Sequence, residues 1–443
     1  MTPAPREILE RLYRAAVAAA QPSQCLPPHL PAPPARGRLV IFAIGKAAGS
    51  MAAVAAQHYR RTAPHTPISG VVLTRYGHAP KTNRLGAGFD VIEAGHPVPD
   101  RAGAEAAARI EQRARNLNRD DLALVLLSGG GSALMARPAG DIPLDDLVAL
   151  TESLLASGRA IQEINCVRRG ILALAGGGLA SALGDTPSLT LAISDVAGDT
   201  AYDIASGPTC QSPTGLSDAA AVLAHADISP PPAIARHLAQ GGKAPTVSPL
   251  QHRLEIVASS AHSLQAAERE ALALGLGAIR LDDDLEGEAQ QLARQHIDAI
   301  SAHLTAVDGR LTSPTLFLSG GEATVDLRGA TADAKGGPNQ EFILALGLAA
   351  PILKECDLFA LAADTDGIDG GSGAETDPAG ALWTPETLSR AQALGLDPGA
   401  HLATHRSTAF FEAIDGLLTT GPSYTNVNDF RALLVVPSPL GDS

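Results

Sequence analysis

The sequence predicts an α/β protein built from two α/β domains with an active site in the cleft between them. Three observations carry that expectation. Short apolar runs alternate with helical stretches along most of the chain, the pattern of a mostly parallel sheet covered on both faces. Several of those runs end in glycine turns, and ligand loops in such sheets gather at the carboxyl ends of strands. A length of 443 residues exceeds one ordinary core. The first domain, expected over 1–250, is Rossmann-like, and the second is expected over 251–443.

The opening MTPAPREILERLYRAAVAAA reads as an amphipathic helix over 1–20, with Ile8, Leu12, Ala15, Ala16 and Ala19 on one side, a candidate to pack on the second domain. Glu7, Glu10, Arg11 and Arg14 interrupt any signal-peptide core. Residues 21–36 are proline-rich and read as an extended linker. RLVIFAIGKAAGSMAAVAAQH then reads as strand, turn and alanine-rich helix. Strands follow at 71–74 and 89–93, a helix at 101–116, and strands at 122–127 and 189–194 with helical stretches between them. Residues 226–252 form a second composition break, and the domain boundary is expected near its end. Beyond it come RLEIVASS, helical stretches at 262–275 and 286–305, the strand–turn units TLFLSGG, DLFALAADTDG and DGLLTTGP, and a closing strand in RALLVVPS.

Composition narrows the function. A net charge of −14 without a dense Lys/Arg run argues against nucleic acid, whose phosphates need a basic patch. Aromatic residues at 3% argue against base-stacking platforms. Cys25, Cys166, Cys210 and Cys356 are far apart, with no CxxC pair, which fits neither a zinc site nor a disulfide framework. Reduced thiols in a cytoplasm are the simplest account. No apolar stretch approaches the roughly 20 residues of a membrane span. A C₂ homodimer is the commonest assembly for a protein of this kind.

Two glycine turns stand out because they nearly repeat. LALVLLSGGGSAL ends a strand in Ser128-Gly129-Gly130-Gly131, and TLFLSGGEATV ends one in Ser319-Gly320-Gly321. Such turns present bare N–H groups and suit phosphate or carboxylate. Either is also an ordinary strand-to-helix turn. Lys46, in AIGKAAGSM, follows a strand by two residues and opens a helix, placed to reach a transferring phosphoryl group. No GxxxxGK[ST] occurs, and Gly45 and Gly49 do not make the GxGxxG of a dinucleotide fold. Asp195 and Asp199 sit just past a strand, where they could share Mg²⁺, take a hydroxyl proton or cap the turn. Asp364, Asp366, Asp369, Glu375 and Asp377 crowd one glycine-rich loop, either a Mg²⁺–phosphate site or a solvated acidic loop. Lys335, Gly336, Gly337 and Asn339 precede a helix, another anion cradle. Thr425, Asn426, Asn428 and Asp429 could bind a polyhydroxy substrate or form turns. Arg168 could grip a carboxylate by its planar fork, whereas a lone His96 is more often structural than catalytic.

Together the runs AIGKAAGSM, GHPVPD, LLSGGGSAL, SDVAGD with IASGPT, FLSGGEATV, KGGPNQEF, ADTDGIDG and TGPSYTNVNDF resemble the class II glycerate kinases, glycerate 2-kinases with a C-terminal MOFRL domain. The resemblance spans most of the chain in the family's order. It implies transfer of the γ-phosphoryl of ATP to the 2-hydroxyl of D-glycerate, with Mg²⁺ required. Lys46 would stabilise the transferring group and Asp195 would position or deprotonate the hydroxyl. Arg168, His96, Ser128, Asn426 and Asn428 would bind substrate. Gly129, Gly130, Gly131, Ser132, Ser319, Gly320, Gly321, Glu322, Lys335, Gly336, Gly337 and Asn339 would cradle the nucleotide, and Asp199, Asp364 and Asp366 the metal. The chain departs from the family at Ala175, where relatives often carry lysine, at Pro338, where many carry arginine, and at His405-Arg406, where many show Asn-Asp. The competing functions are an NAD(P)H-dependent hydroxypyruvate reductase and a non-catalytic phosphometabolite-binding protein.

Overall fold

Six apolar runs pair into one sheet: β1 (Leu39–Ile44), β2 (Ile68–Arg75), β3 (Phe89–Ala94), β4 (Leu122–Leu127), β5 (Ser188–Ile193) and β6 (His252–Ala258). The computed structural model describes residues 3–80, 85–307, 311–328, 330, 334–353, 356–371 and 373–438. The strand order is β3-β2-β1-β4-β5-β6. The β1–β2, β2–β3, β1–β4 and β4–β5 pairs are all parallel. Every residue of β1 and β5 is buried, as strands covered on both faces must be. This order is that of the Rossmann fold, whose ligand crevice opens where the winding reverses, here between β1 and β4.

Helix Arg101–Arg115 shows how one face is covered. Asp100 caps it by accepting from Gly103 N at 2.9 Å. Its Ala106, Ala107, Ile110 and Ala114 recur at helical spacing and pack on Phe42, Val71, Leu73 and Val125. The proline-rich segment after residue 20 is not a plain extended linker. Pro22–Cys25 is a helical turn and Pro27–His29 a 3-10 turn, because proline is tolerated where a helical turn begins.

The chain forms two compact units, Pro22–Val257 and Met1–Gln21 with Ala258–Ser443. The strand β6 closes the sheet of the Pro22–Val257 unit, so the division falls after Val257 rather than at 250.

The other unit carries β7 (Gly277–Asp282), β8 (Gly287–Glu288), β9 (Thr315–Ser319), β10 (Ala323–Thr324), β11 (Cys356–Asp364), β12 (Gly380–Trp383), β13 (Leu417–Leu418) and β14 (Asp429–Pro437). Its main sheet has the order β13-β12-β11-β14-β9-β7, with β8 and β10 as a separate pair. Only β7–β9 is parallel in the main sheet; the other pairs are antiparallel. Period-two alternation fills both faces. Phe317, Ala360, Ala362 and Leu433 join helices Ala289–Ala306 and Pro338–Ala349 on one side. Leu316, Leu318, Leu361 and Leu434 face the other, where helices Pro5–Ala20 and Ser260–Ala273 lie. The buried stripe of the first helix is Ile8, Leu9, Leu12, Tyr13, Ala16 and Ala20. Ala15 and Ala19 are half-buried at its border, because the larger Leu9 and Tyr13 take the central positions.

Candidate active site

The turns after β1 and β4 form one piece at the point where the winding reverses. Lys46 N–H donates to the Gly129 carbonyl at 2.9 Å, and Ser128 N–H to the Ile44 carbonyl at 3.0 Å. Ala47 N–H donates to Ser128 Oγ at 3.0 Å. Gly45 is left-handed (φ +124°), and a Cβ there would collide with Ser128, so glycine is required. Ser128 itself is fully buried. Its hydroxyl ties the two turns together.

The following glycines carry the candidate residues around them. The N–H groups of Gly129, Gly130 and Gly131 have no acceptor among the described residues. A Cβ on Gly129 would collide with Oδ2 of Asp195. On Gly130, which is left-handed (φ +82°), a Cβ would lie 2.9 Å from the His96 ring and 3.6 Å from Lys46 Cγ. Lys46, His96 and Asp195 therefore converge on one bare-amide turn.

Electrostatics follow from this crowding. Burial raises the Asp195 carboxyl above its ordinary range, and the Lys46 cation partly opposes that shift. Burial pushes His96 down to about 4, helped by Lys46, Arg75, Arg168 and His78, so its imidazole is neutral at pH 7. Burial likewise lowers Arg168 to about 10. Arg75 and His78 were not singled out from sequence. They follow β2, and Arg75 Nε donates to His78 Nε2 at 2.6 Å. The signal was their place at the same sheet end as Lys46.

The turn Ala205-Ser206-Gly207 is left-handed at all three residues (φ +50°, +58° and +63°). Such strain at non-glycine residues persists only where surrounding structure fixes it. A Cβ on Gly131 would lie 2.6 Å from Ala205 Cβ, so this turn backs the cradle. Asp199 is half-buried in the loop after β5, with left-handed backbone (φ +50°).

In the other unit the second cradle is closed by the protein itself. Gly320 N–H donates to Asp282 O at 3.0 Å and Glu322 N–H to Leu285 O at 3.1 Å. Ser319 Oγ bonds His296 Nε2 at 2.7 Å. Gly320 and Gly321 are glycines because Ser260, Asp283 and Leu285 press against them. Of the amides expected to cradle phosphate at Ser319, Gly320, Gly321 and Glu322, two are thus already bonded within the protein. The same holds at Lys335-Gly336-Gly337 and Asn339. The helix start there is filled by the Asp369 side chain. Its carboxylate accepts from Asn339 N and Gln340 N, both at 2.9 Å, and a Cβ on Gly337 would collide with it.

Asp369 belongs to a buried network. Asn339 Nδ2 donates to Asp429 Oδ1 at 2.6 Å, and Arg431 Nη2 to Asp429 Oδ2 at 2.5 Å. Arg431 Nη1 also donates to Gly320 O at 2.7 Å. Asn426 and Asn428 serve the turn before β14. Asn426 Oδ1 accepts from Asn428 N at 3.0 Å, and the Asn428 carbonyl accepts from Thr365 Oγ1 at 2.6 Å. Both side chains are buried. Asp364 Oδ1 accepts from Asp366 N at 2.8 Å and Asp366 Oδ1 from Ile368 N at 2.9 Å, so one oxygen of each carboxylate shapes the loop. Among the described residues no three His, Cys, Asp or Glu side chains gather as a preformed metal cage.

Residues 8–239 match the family described as "Domain of unknown function (DUF4147)", and residues 315–429 match the MOFRL family. The glycerate 2-kinase of Pyrococcus horikoshii is 36% identical over 90% of this chain and 88% of its own length. The crystal structure of a glycerate kinase from Thermotoga maritima superposes with a TM-score of 0.84 at 30% identity, covering 97% of this chain and 99% of that one. The chain belongs to the class II glycerate kinase family. A family member of Agrobacterium vitis, 42% identical over 97% of this chain and 94% of its own length, is named "Putative hydroxypyruvate reductase".

The departures of this class II glycerate kinase family member have local explanations. Pro338 takes the opening position of helix Pro338–Ala349, where a proline is at home. His405 Nδ1 lies 3.0 Å from Glu341 Oε2, giving that buried carboxylate a partner. Ala175 is buried beside the Gly176-Gly177 turn.

Proposed function

We propose that the chain transfers the γ-phosphoryl group of ATP to the 2-hydroxyl of D-glycerate, giving 2-phosphoglycerate and ADP. The observation that carries this reading is the convergence of Lys46, His96 and Asp195 on the Gly129–Gly130 turn. Phosphoryl transfer needs little covalent help; positioning and charge stabilisation supply most of the rate. The bare amides of Gly129, Gly130 and Gly131 suit phosphate oxygens, and the same turn excludes any Cβ that would block them. Lys46 stabilises the transferring group as a point charge. Asp195, its carboxyl raised by burial, orients the hydroxyl and accepts its proton. Arg168 holds the substrate carboxylate, and the neutral His96 offers a hydrogen bond without adding charge.

Bound Mg²⁺ supplies neutralisation of the charge on the β- and γ-phosphates. It needs only one or two protein carboxylates, and Asp199 lies on the loop after β5 with Asp195. The free thiols of Cys25, Cys166, Cys210 and Cys356 support a cytoplasmic location. Among the described residues no helix is long and apolar enough to cross a membrane.

A reductase is the second reading, favoured by the name of the Agrobacterium vitis relative and by the Rossmann strand order. Against it, the turn after β1 reads Gly45-Lys46-Ala47-Ala48-Gly49-Ser50, with Ala47 and Ser50 where a dinucleotide fingerprint carries its second and third glycines. The test is ADP release with ATP, Mg²⁺ and D-glycerate, with the product resolved as 2- or 3-phosphoglycerate. Formation of 2-phosphoglycerate is expected. NADH or NADPH oxidation with hydroxypyruvate, and no ADP, would establish the reductase instead.

A further inference from the structure

We propose that Asn165 is a positioning residue that fixes the Arg168 guanidinium and the Ser132 hydroxyl in one hydrogen-bonded frame and so sets the grip on the hydroxy acid. The assignment rests on the phosphotransfer reading above. Asn165 lies on helix Ile161–Ile171, one turn before Arg168 and on the same face. It is 2% exposed, so every polar atom of its amide must find a partner.

The amide can point only one way. Its Nδ2 donates to the Asp203 carbonyl at 3.3 Å, and a carbonyl cannot donate back. Oδ1 is therefore turned to the other side. There it accepts from Arg168 Nη1 at 3.3 Å and from Ser206 Oγ at 3.4 Å. Ser206 Oγ also lies 2.7 Å from Ser132 Oγ, a contact in which either hydroxyl can donate. Ser132, Ser206 and Asn165 thus form one connected chain that ends on that amide. Ser132 stands beside the bare-amide turn, where its hydroxyl can bond a polar group of the substrate.

The frame is held from behind. Ser206 N–H donates to Asp203 O at 3.1 Å, and Gly176 N–H to Ser206 O at 2.9 Å, which maintain the left-handed Ser206. Arg169 Nη1 donates to Asp203 Oδ1 at 2.7 Å, and both side chains are almost wholly buried. Adjacent arginines thus divide the work: Arg169 anchors the Asp203 loop and Arg168 is aimed by Asn165.

Steady-state kinetics of the full chain with D-glycerate and ATP tests this. Asn165→Ala is expected to raise the hydroxy-acid KM about tenfold, the scale of one lost charge-assisted hydrogen bond, with the ATP KM unchanged. Most of that rise should vanish when Asn165→Ala is added to Arg168→Ala, because one acts through the other. Equal rises in both KM values, or a full tenfold rise in the Arg168→Ala background, would overturn the assignment. If Asn165→Ala does not fold, Ser206→Ala removes only the Ser132 branch; a hydroxy-acid KM raised about threefold supports the frame, and an unchanged one overturns it. Wild-type protein that releases no ADP with D-glycerate or any other hydroxy acid overturns the kinase reading and this assignment with it. Wild-type turnover with an unaltered Asn165→Ala overturns this assignment alone.

Discussion

Lys46 donates its backbone N–H to the Gly129 carbonyl across 2.9 Å. That bond joins the turn after β1 to the turn after β4, so the lysine is placed relative to the bare amides by the sheet itself. Two parallel neighbouring strands, in register from Leu39↔Leu122 to Ile44↔Leu127, deliver both turns to one end of the sheet. The side chain can then act on a ligand while its backbone is held by structure.

Lys46→Ala should separate function from folding. The backbone bond to Gly129 survives any side chain, so the melting temperature should stay near that of the wild type. The loss of a preorganised cation at the developing charge should lower kcat by about 10²–10³-fold. Lys46→Arg should rescue little, because a planar fork does not replace a compact ammonium. Near-normal turnover in Lys46→Ala removes Lys46 from the mechanism, whereas full activity in Lys46→Arg would show that charge alone suffices at this position.

Gly129→Ala should be nearly as damaging for a different reason. The added Cβ would enter the space of Asp195 Oδ2 and force that carboxylate away from the turn. A displacement of about 1 Å at a reacting group can cost 10²-fold in rate. Turnover is expected to fall by about that factor, with Lys46 and Arg168 untouched. An active Gly129→Ala enzyme would show that Asp195 has no fixed place in the reaction.

How far the sequence could be read is clearest where identical strings diverge. Ser128-Gly129-Gly130 and Ser319-Gly320-Gly321 look alike, and both follow buried strands. Only distant residues tell them apart. Ser260, Asp283 and Leu285 close the second turn, and no local pattern announces that they approach Gly320 and Gly321. The side chain that fills the start of helix Pro338–Ala349 is Asp369, a residue of the acidic loop beyond β11. By contrast the gathering of Lys46, His96 and Asp195 at one place follows from the strand pattern, because a parallel sheet sends all its strand ends to one side. β6, which stays with the sheet before the division at Val257, follows a proline-rich break and reads locally like a new start. Its sheet neighbour β5 lies well back along the chain.

Arg431 tests the buried network that replaces the second cradle. It is fully buried, paired with Asp429 at 2.5 Å and bonded to the Gly320 carbonyl at 2.7 Å. Arg431→Met keeps the bulk and removes the charge, leaving the Asp429 carboxylate uncompensated. Removing one partner of a buried pair costs about 3–5 kcal/mol. Denaturant unfolding should show a loss of that order, and Arg431→Met combined with Asp429→Asn should recover part of it. Additive losses would mean the two residues do not depend on each other.

His96 makes the stability of the protein pH-dependent with a definite sign. Its ordinary pKa of 6.5 is lowered in the fold to about 4 by burial and by surrounding cations. Below pH 6.5 the unfolded chain takes up a proton that the folded one refuses until about pH 4. The unfolded state binds more protons across that window, so stability rises with pH there and is lost as pH falls through it. The contribution of His96 to the loss is about 1–3 kcal/mol, the full shift reduced for its partial exposure. His296, also lowered to about 4, adds a loss of the same sign, whereas Asp369, raised to about 7, opposes it. The informative quantity is therefore the difference between wild type and His96→Asn, measured by urea unfolding at steps from pH 4 to pH 8. His96→Asn should flatten the acid limb of the stability curve while leaving the values above pH 7 parallel to wild type. An unchanged acid limb would show that the imidazole is protonated as readily in the fold as in the free chain.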